Sequence, residues 1–264
     1  MKPLRAPRPE GAGQDLPRDA ARLLARLRAE GTRVHAITNA AAQVLTANLL
    51  LDAGGTPSLT VAPDEVSAFT RRAGALLVNL GTLDADRRAA IPWAIATARA
   101  AGSPWVLDPV FADTSPSRLD LARLALAGGP AILRCNGAEF AAIAGEASSP
   151  GAIAAFARAH GTVVAVTGPT DEVTDGNRRI ALSNGHSMMS RVTAMGCAGG
   201  ALAAAFAALE PDALQAAAAA LLVLDVAGEI GGERAEGPGS FPAAFLDALH
   251  ALDEGAIVAR ARVS

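Results

Sequence analysis

Five short apolar runs, at residues 34–37, 75–80, 105–108, 131–135 and 163–167, carry or meet a polar residue at their C-terminal side: Asn39, Asn79, Asp108, Asn136 and Thr167. A strand that is apolar almost throughout is buried on both faces, as in a parallel sheet covered by helices. The intervening stretches have helical spacing. In the first of them Ala20, Leu23, Leu24 and Leu27 share one face, Asp15 and Pro17 can open the helix, and Gly31 can stop it. The alternation of strand and helix predicts an α/β fold, a three-layer α/β/α sandwich around a mostly parallel central sheet. In open sheets of this kind ligands bind outside the carboxyl ends of the strands, where the five polar residues gather.

The other segments fit this plan. A strand at 58–61 follows Gly54-Gly55, and Asp64 caps a short helix through Arg72. Helices are expected at 43–51, at 86–101 with Pro92 as a kink, at 117–126, from Asn136 through Glu139, and at 150–160. Then the period changes: 172–174 and 178–182 flank Asp175-Gly176-Asn177, a hairpin signal that adds antiparallel strands at one edge. Asn184-Gly185 marks a second turn, and helices at 198–209, 212–230 and 242–252 complete the chain. Residues 1–14, rich in Pro, Gly and Arg, read as a flexible N-terminal arm, and 15–264 as a single domain.

Composition narrows the class of function. With 264 residues, 51% hydrophobic, the chain can bury one large core, which must be built from Ala, Leu, Val and Ile because aromatics make up 3% and Tyr is absent. A formal net charge of −3, with both signs interspersed, argues against a nucleic-acid partner. The two cysteines lack CxxC or His-ligand spacing, so neither a disulfide framework nor structural zinc is expected. The Pro-broken start has no signal-peptide core. The apolar run at 214–226 contains Gln215 and Asp225 and is too short to span a bilayer, so a cytoplasmic protein without a membrane partner is expected.

Ser190 to Gly200 concentrates the chemistry. A β-branched approach, Val192-Thr193, runs through small residues into Cys197 and an alanine-rich helix. The first turn of a helix offers unpaired amides and a partial positive charge, so an anion fits there and a thiol at that position has its pKa lowered. The competing reading is a buried Cys packed among small residues. Asp108 at a strand end can hold Mg²⁺ or water, or cap a loop. Glu139, close to Arg134, suits a metal–nucleotide pair or a surface salt bridge. Thr167-Gly168 suits a phosphate or a simple turn. His35 reads as structural or pocket-lining. The absence of a Walker A loop, a GxGxxG after the first strand and a GxSxG sets aside P-loop NTPases, dinucleotide dehydrogenases and α/β-hydrolases.

Seven short motifs, taken together and in order, resemble the hydroxyethylthiazole kinases of the ribokinase-like superfamily. They are H-A-I-T-N at 35–39, N-L-G-T-L at 79–83, L-D-P-V at 107–110, R-C-N-G-A-E at 134–139, V-T-G at 166–168, V-T-A-M-G-C at 192–197 and G-P-G-S-F at 237–241. The resemblance covers residues 30–250. It implies a ribokinase-like fold, and ATP-dependent phosphorylation of the hydroxyl of 4-methyl-5-(2-hydroxyethyl)thiazole in thiamine salvage. It also implies Mg²⁺ and a homotrimer with sites between subunits. By position it places Cys197 at the catalytic site, Arg134 and Thr167 on ATP, and Asp108 and Glu139 around Mg²⁺ and the phosphates. Leu59, Ala194 and Asn39 fall on the thiazole side, and Met195 and Gly196 in the phosphate loop.

This chain departs from the family pattern at two loops. Where the family loop reads G-A-G-C, this chain has Ala194-Met195-Gly196-Cys197, and a positive φ at 194 would cost on the order of 1 kcal/mol. After D-P-V the family glycines give way to Phe111 and Asp113, which narrow the pocket and add negative charge. These departures keep two alternatives open: a related small-alcohol kinase with a modified pocket, or a non-catalytic ligand-binding relative.

Overall fold

The computed structural model describes residues 15–264; the arm expected at 1–14 lies outside the described residues. Its centre is one eight-stranded sheet in the order β2-β1-β3-β4-β5-β6-β7-β8. The strands are β1 (Arg33–Ile37), β2 (Thr56–Ser58), β3 (Ala75–Asn79), β4 (Trp105–Asp108), β5 (Ile132–Asn136), β6 (Val163–Thr167), β7 (Asp171–Thr174) and β8 (Arg179–Leu182). The first six pair in parallel, and β6, β7 and β8 pair antiparallel, with Asp171 opposite Leu182 across the late hairpin. Parallel pairing requires long crossovers, and the helical segments supply them.

Helices α1 (Leu16–Glu30), α2 (Gln43–Asp52), α8 (Met195–Leu209), α9 (Ala213–Arg234), α10 (Phe241–Ala251) and α11 (Glu254–Arg260) cover one face of the sheet. Helices α3 (Val66–Arg72), α4 (Ala85–Ala101), α5 (Pro116–Leu126), α6 (Gly137–Ala144) and α7 (Pro150–His160) cover the other. The expected three-layer sandwich is the observed one. In α1 the four residues expected on the buried face are all buried, and Gly31 ends it at φ 61. Asp15 stands at its N-cap without a side-chain cap bond.

Several boundaries differ from the sequence expectation. The second strand is 56–58 rather than 58–61. Pro57 has no N–H to donate, which an edge strand tolerates, so pairing to β1 begins at Thr56 and is over by Ser58. Leu59 consequently lies beyond the strand, in the loop above it. Helix α3 starts at Val66, with Glu65 and not Asp64 at its N-cap. Helix α4 runs unbroken through Pro92. Helix α8 begins at Met195, three residues before the alanine run, which puts Cys197 inside its first turn.

Helix α9 extends to Arg234, long and apolar enough to cross a membrane by length and composition. The helix expected at 212–230 is thus longer at its C-terminal end, and the expectation that its apolar run is too short to span a bilayer does not hold by length and composition. Within the fold, 83% of its apolar window is buried, as suits the core helix it forms between α1, α8 and α10. The tail adds α11 and an antiparallel bridge from Val263 to Leu182, neither of which has a strong periodic signal.

Helix α8 explains the chain's alanine content. Twelve of its fifteen residues are buried, so it has no solvated face and must fit between sheet and α9 with small side chains. Phe206 on α8, with Phe241 and Phe245 on α10, fills the gaps that alanine leaves.

On β1, His35 is fully buried between Ser58, whose hydroxyl lies 3.0 Å from Nδ1, and the Phe69 ring. Burial lowers its pKa to about 4. The folded state therefore excludes a proton that the unfolded chain binds below about 6.5. The stabilisation from a neutral His35 is complete above that value and is lost as pH falls towards 4. We expect the unfolding free energy to drop by on the order of 3 kcal/mol across this window, and His35→Gln to flatten the drop, as read by urea titrations at stepped pH. Equal slopes for the two proteins would contradict the assignment.

Candidate active site

The carboxyl ends of β1, β3, β4 and β5 and the start of α8 converge on one polar chain. Asn39, just beyond β1, donates through Nδ2 to Cys197 Sγ at 3.1 Å and to Asn79 Oδ1 at 3.2 Å. Its Oδ1 accepts the Ala42 N–H at 2.9 Å, capping the 3₁₀ turn before α2. Asn79, the last residue of β3, donates to Asp108 Oδ2 at 3.0 Å and accepts the Gly81 N–H at 3.0 Å. Asp108 ends β4 and forms an ion pair with Arg134 of β5 at 3.6 Å. Gly81 has to be glycine, because a Cβ there would lie 2.5 Å from the Asn39 Cβ.

Arg134 is buried beneath the first turn of α8. A Cβ at Gly196 would meet its guanidinium nitrogens at 3.5 and 3.6 Å, and its Nε has no partner among the described residues. The resulting charge distribution is divided. Arg134 and the helix start are positive; Asp108 and Glu139 are negative. Burial pushes the Asp108 carboxyl up to about 7, with the Glu139 charge adding to the push and Arg134 and the Asn79 bond opposing it.

Glu139 is not in a surface salt bridge, the alternative that its neighbourhood to Arg134 left open. It is buried, and both oxygens accept backbone amides: Oε2 from Asn136 at 2.9 Å in a capping box, and Oε1 from Phe111 at 3.0 Å. Phe111 itself has φ 59 and is 58% exposed, and the Arg118 guanidinium lies 5.9 Å from its ring centre. The two loops above β4 and β5 are thus tied together through the Glu139 carboxylate.

Ala194 adopts φ 73, the left-handed conformation that the glycine of the related loop would take freely. It stands at the N-cap of α8 with no side-chain cap, and the first helical bond runs from the Ala198 N–H to its carbonyl at 2.8 Å. By helix geometry the amides of Met195, Gly196 and Cys197 precede that bond. The Met195 side chain packs into the core.

The thiol behaves opposite to the expectation for a helix start. Burial, with the Asp108 charge second, pushes Cys197 up to about 11, although Asn79, Arg134 and Asn39 oppose the rise. A helix end contributes 0.3–1 kcal/mol in exposed positions, up to ~2 kcal/mol in favourable partly buried ones, which desolvation and a nearby carboxylate exceed here.

The remaining expected residues sit on the same edge of the sheet without joining the chain of bonds. Thr167 ends β6 opposite Asn136, its hydroxyl 3.4 Å from the Cys135 carbonyl. Leu59 packs half-buried above the edge strand β2. Sequence reasoning named Asn79 only as a strand-end residue. A polar residue ending an otherwise apolar strand was the available signal for its bonding role. Asp171 and Asp225, buried near Arg134, were not anticipated as part of the site.

Comparison with known proteins follows this geometry. A ribokinase-like superfamily protein from Enterococcus faecalis V583 superposes with a TM-score of 0.64 at 11% identity, over 92% of this chain and 90% of that one, which shows the fold. The fold is ribokinase-like. The family model for the hydroxyethylthiazole kinase family matches residues 24–255. A hydroxyethylthiazole kinase of Granulibacter bethesdensis is 46% identical over 253 residues, 91% of this chain and 92% of that one. The structure of a hydroxyethylthiazole kinase from Pyrococcus horikoshii OT3 aligns with a TM-score of 0.89 at 36% identity, over 94% of this chain and 98% of that one. The chain belongs to the hydroxyethylthiazole kinase family.

The strain at Ala194 is directly testable. Ala194→Gly is expected to raise the unfolding free energy by about 1 kcal/mol, measured by chemical denaturation, because glycine removes the Cβ penalty at positive φ. A loss of stability would show that the loop gains more from the alanine methyl than it loses in strain.

Proposed function

We propose that residues 15–264 act as one kinase domain that transfers the γ-phosphoryl group of ATP to the primary hydroxyl of 4-methyl-5-(2-hydroxyethyl)thiazole, a thiamine-salvage step. The observation that carries this reading is the bonded chain from Cys197 through Asn39 and Asn79 to Asp108 and Arg134. It brings a thiol, a helix start and a buried cation together at the carboxyl ends of the strands. The alcohol oxygen forms the new bond to the γ-phosphorus as the bond from that phosphorus to the β,γ-bridging oxygen breaks, ADP leaves, and the hydroxyl proton passes to the transferred phosphoryl oxygens or to solvent.

Each part has a distinct task. The amides of Met195, Gly196 and Cys197, with Arg134, face the charge on the transferring group. Cys197, with Asn39, orients the hydroxyl. With its pKa pushed up to about 11 the thiol stays protonated at neutral pH, so it is no general base, and positioning accounts for its contribution. Leu59 and Ala194 bound the thiazole side, and Thr167 faces the nucleotide.

Among the described residues no group of three or more His, Cys, Asp and Glu forms a metal cage. The pair Asp108 and Glu139 nonetheless suits Mg²⁺, which binds through one or two carboxylates and takes its other ligands from phosphates and water. Burial and the Glu139 charge disfavour the ionised form of Asp108 despite its Arg134 and Asn79 partners, and a cation would relieve that penalty. When bound, Mg²⁺ would neutralise charge on the phosphate oxygens.

We read the assembly as a homotrimer with sites at subunit interfaces. Support comes from Leu59 at the open sheet edge and from Val44 and Leu51, exposed on the adjacent α2. The compartment we read as cytoplasmic, given an ATP substrate and two free thiols, Cys135 and Cys197. A second reading, a kinase for another small ring alcohol, is favoured by one feature. Phe111 projects an exposed ring from a strained backbone beside Glu139.

A coupled assay with ATP, Mg²⁺ and the thiazole alcohol is expected to give turnover well above the ATP-only background. No turnover with this alcohol, but turnover with a pyrimidine or sugar alcohol, would move the assignment to the second reading. Cys197→Ala is expected to lower kcat by roughly 10- to 100-fold, in line with loss of one positioned polar group, while the thermal midpoint stays near that of the parent protein. A variant that fails to fold would make the thiol a packing residue.

A further inference from the structure

One peptide group at the rim of the site lies between two charges. It joins Val110 to Phe111, just after Asp108. Its N–H, from Phe111, donates to Glu139 Oε1 at 3.0 Å. Its carbonyl, from Val110, accepts from Arg118 Nη1 at 3.4 Å. A peptide is planar and turns as one unit, so its oxygen end is set towards the cation and its N–H end towards the carboxylate together. Arg118 stands in the first turn of α5, and the same nitrogen donates to the Leu80 carbonyl. That bond anchors the guanidinium to the sheet edge, because the Leu80 N–H donates to the Asp108 carbonyl at 3.0 Å.

The alignment has a backbone cost. Phe111 and Ala194 are the two residues other than glycine with positive φ among those described. At φ 59 the Cβ of Phe111 is crowded as it is in a left-handed turn. Turning the Val110–Phe111 peptide over by about 180° would bring φ into the extended region and relieve the crowding. The following peptide offers no such relief, since the Phe111 carbonyl accepts the Thr114 and Ser115 amides at 3.1 and 3.2 Å. A turned peptide would aim the Val110 carbonyl at Glu139 and take the amide donor away from it.

Glu139 depends on that donor. Each of its oxygens accepts one backbone amide. The Asn136 N–H, at 2.9 Å, comes from its own loop as part of the capping box. The Phe111 N–H comes from the neighbouring loop and is what ties the carboxylate towards Asp108. Without it Glu139 is held through one oxygen only.

We propose that Arg118 is a positioning residue for the nucleotide side of the site: by holding the Val110 carbonyl it keeps the Phe111 amide on Glu139 against the strain of a side chain at positive φ. Where the family has glycine the same φ carries no such cost, so the departure at Phe111 is what gives the clamp a strain to oppose. The inference rests on the kinase reading only in taking Glu139 to face ATP·Mg²⁺.

Arg118→Met, Arg118→Lys, Glu139→Gln and the Arg118→Met/Glu139→Gln double variant test this on the full chain by two measurements. The first is hydrogen exchange at the Phe111 amide and needs no ligand. Arg118→Met is expected to speed it roughly tenfold while the amides of β3, β4 and β5 keep their protection, and Arg118→Lys, a point charge without the planar fork, to restore part of the difference. The second is ATP·Mg²⁺ affinity by calorimetry, without the alcohol. Arg118→Met is expected to weaken it roughly tenfold, the size of one charge-assisted contact, with part of the loss recovered by Lys. In the Glu139→Gln background the same substitution is expected to cost less than about twofold, because the carboxylate through which Arg118 acts is gone.

Unchanged exchange at Phe111 would overturn the proposal. Exchange that speeds in all three strands together would do so too, by making Arg118 a general packing residue. An affinity loss of equal size in both backgrounds, or none in a chain that binds ATP, would remove the positioning role. If the Met variant folds poorly, Arg118→Gln, which keeps a polar side chain without the charge, reads the same differences. The expected exchange difference in a chain that binds no ATP would remove the kinase reading and leave the clamp on Glu139 standing.

Discussion

A carboxamide donates and accepts at once, and two of them, buried side by side, hold the candidate active site together. Asn39 uses its donor on Cys197 and Asn79 and its acceptor on the Ala42 amide; Asn79 uses its donor on Asp108 and its acceptor on Asn39 and the Gly81 amide. Each is a buried polar side chain with both ends committed. Removing either would leave buried partners such as Asp108 short of a bond, at about 1–3 kcal/mol for each group left unsatisfied. Because the four bonded residues come from the loop after β1, from β3, from β4 and from α8, their order fixes where the helix begins relative to the sheet.

Packing makes that approach possible. Gly199 and Gly200 let α8 lie against Leu224 and Leu77, whose methyls would be 2.7 and 3.0 Å from an added Cβ, and Gly196 leaves room for Arg134 beneath the turn. A buried guanidinium under a helix start reinforces the field of the helix itself. The negative groups stand beside it, Asp108 at the end of the neighbouring strand β4 and Glu139 in the first turn of α6 after β5. The same crowding carries a chemical consequence. With Cys197 partly buried and close to a carboxylate, its proton is retained at neutral pH, which fits the proposed orienting role and not that of a nucleophile or base.

The strands were readable because each parallel strand is apolar almost throughout, and the five polar residues expected at strand ends, Asn39, Asn79, Asp108, Asn136 and Thr167, stand on one rim of the sheet. The left-handed Ala194 was readable too, from an alanine where related loops have glycine. What could not be read has a common cause: it depends on contacts between segments distant in the chain. Asp171 and Asp225 come near Arg134 only because β7 turns back antiparallel beside β6 and α9 packs against it. The start of α8 was misplaced because Met195-Gly196-Cys197 has no cap side chain, the helix being held by its neighbours. The thiol shift took the opposite sign because the sequence reveals a helix start but not the depth of burial or the carboxylate beside it. The edge strand slipped by two residues since Pro57, which would disqualify a central strand, is acceptable at an edge.

The central claim is that the carboxamide chain transmits the placement of Asp108 to Cys197. A double-mutant cycle on kcat, with Asn79→Ala, Cys197→Ala and the double variant, measures it most directly. If the two residues act as one unit, the double variant will be no slower than the slower single one, a coupling well beyond the ~0.5 kcal/mol expected of independent sites. If the two losses simply multiply, the thiol and the carboxylate are positioned independently and the account is wrong.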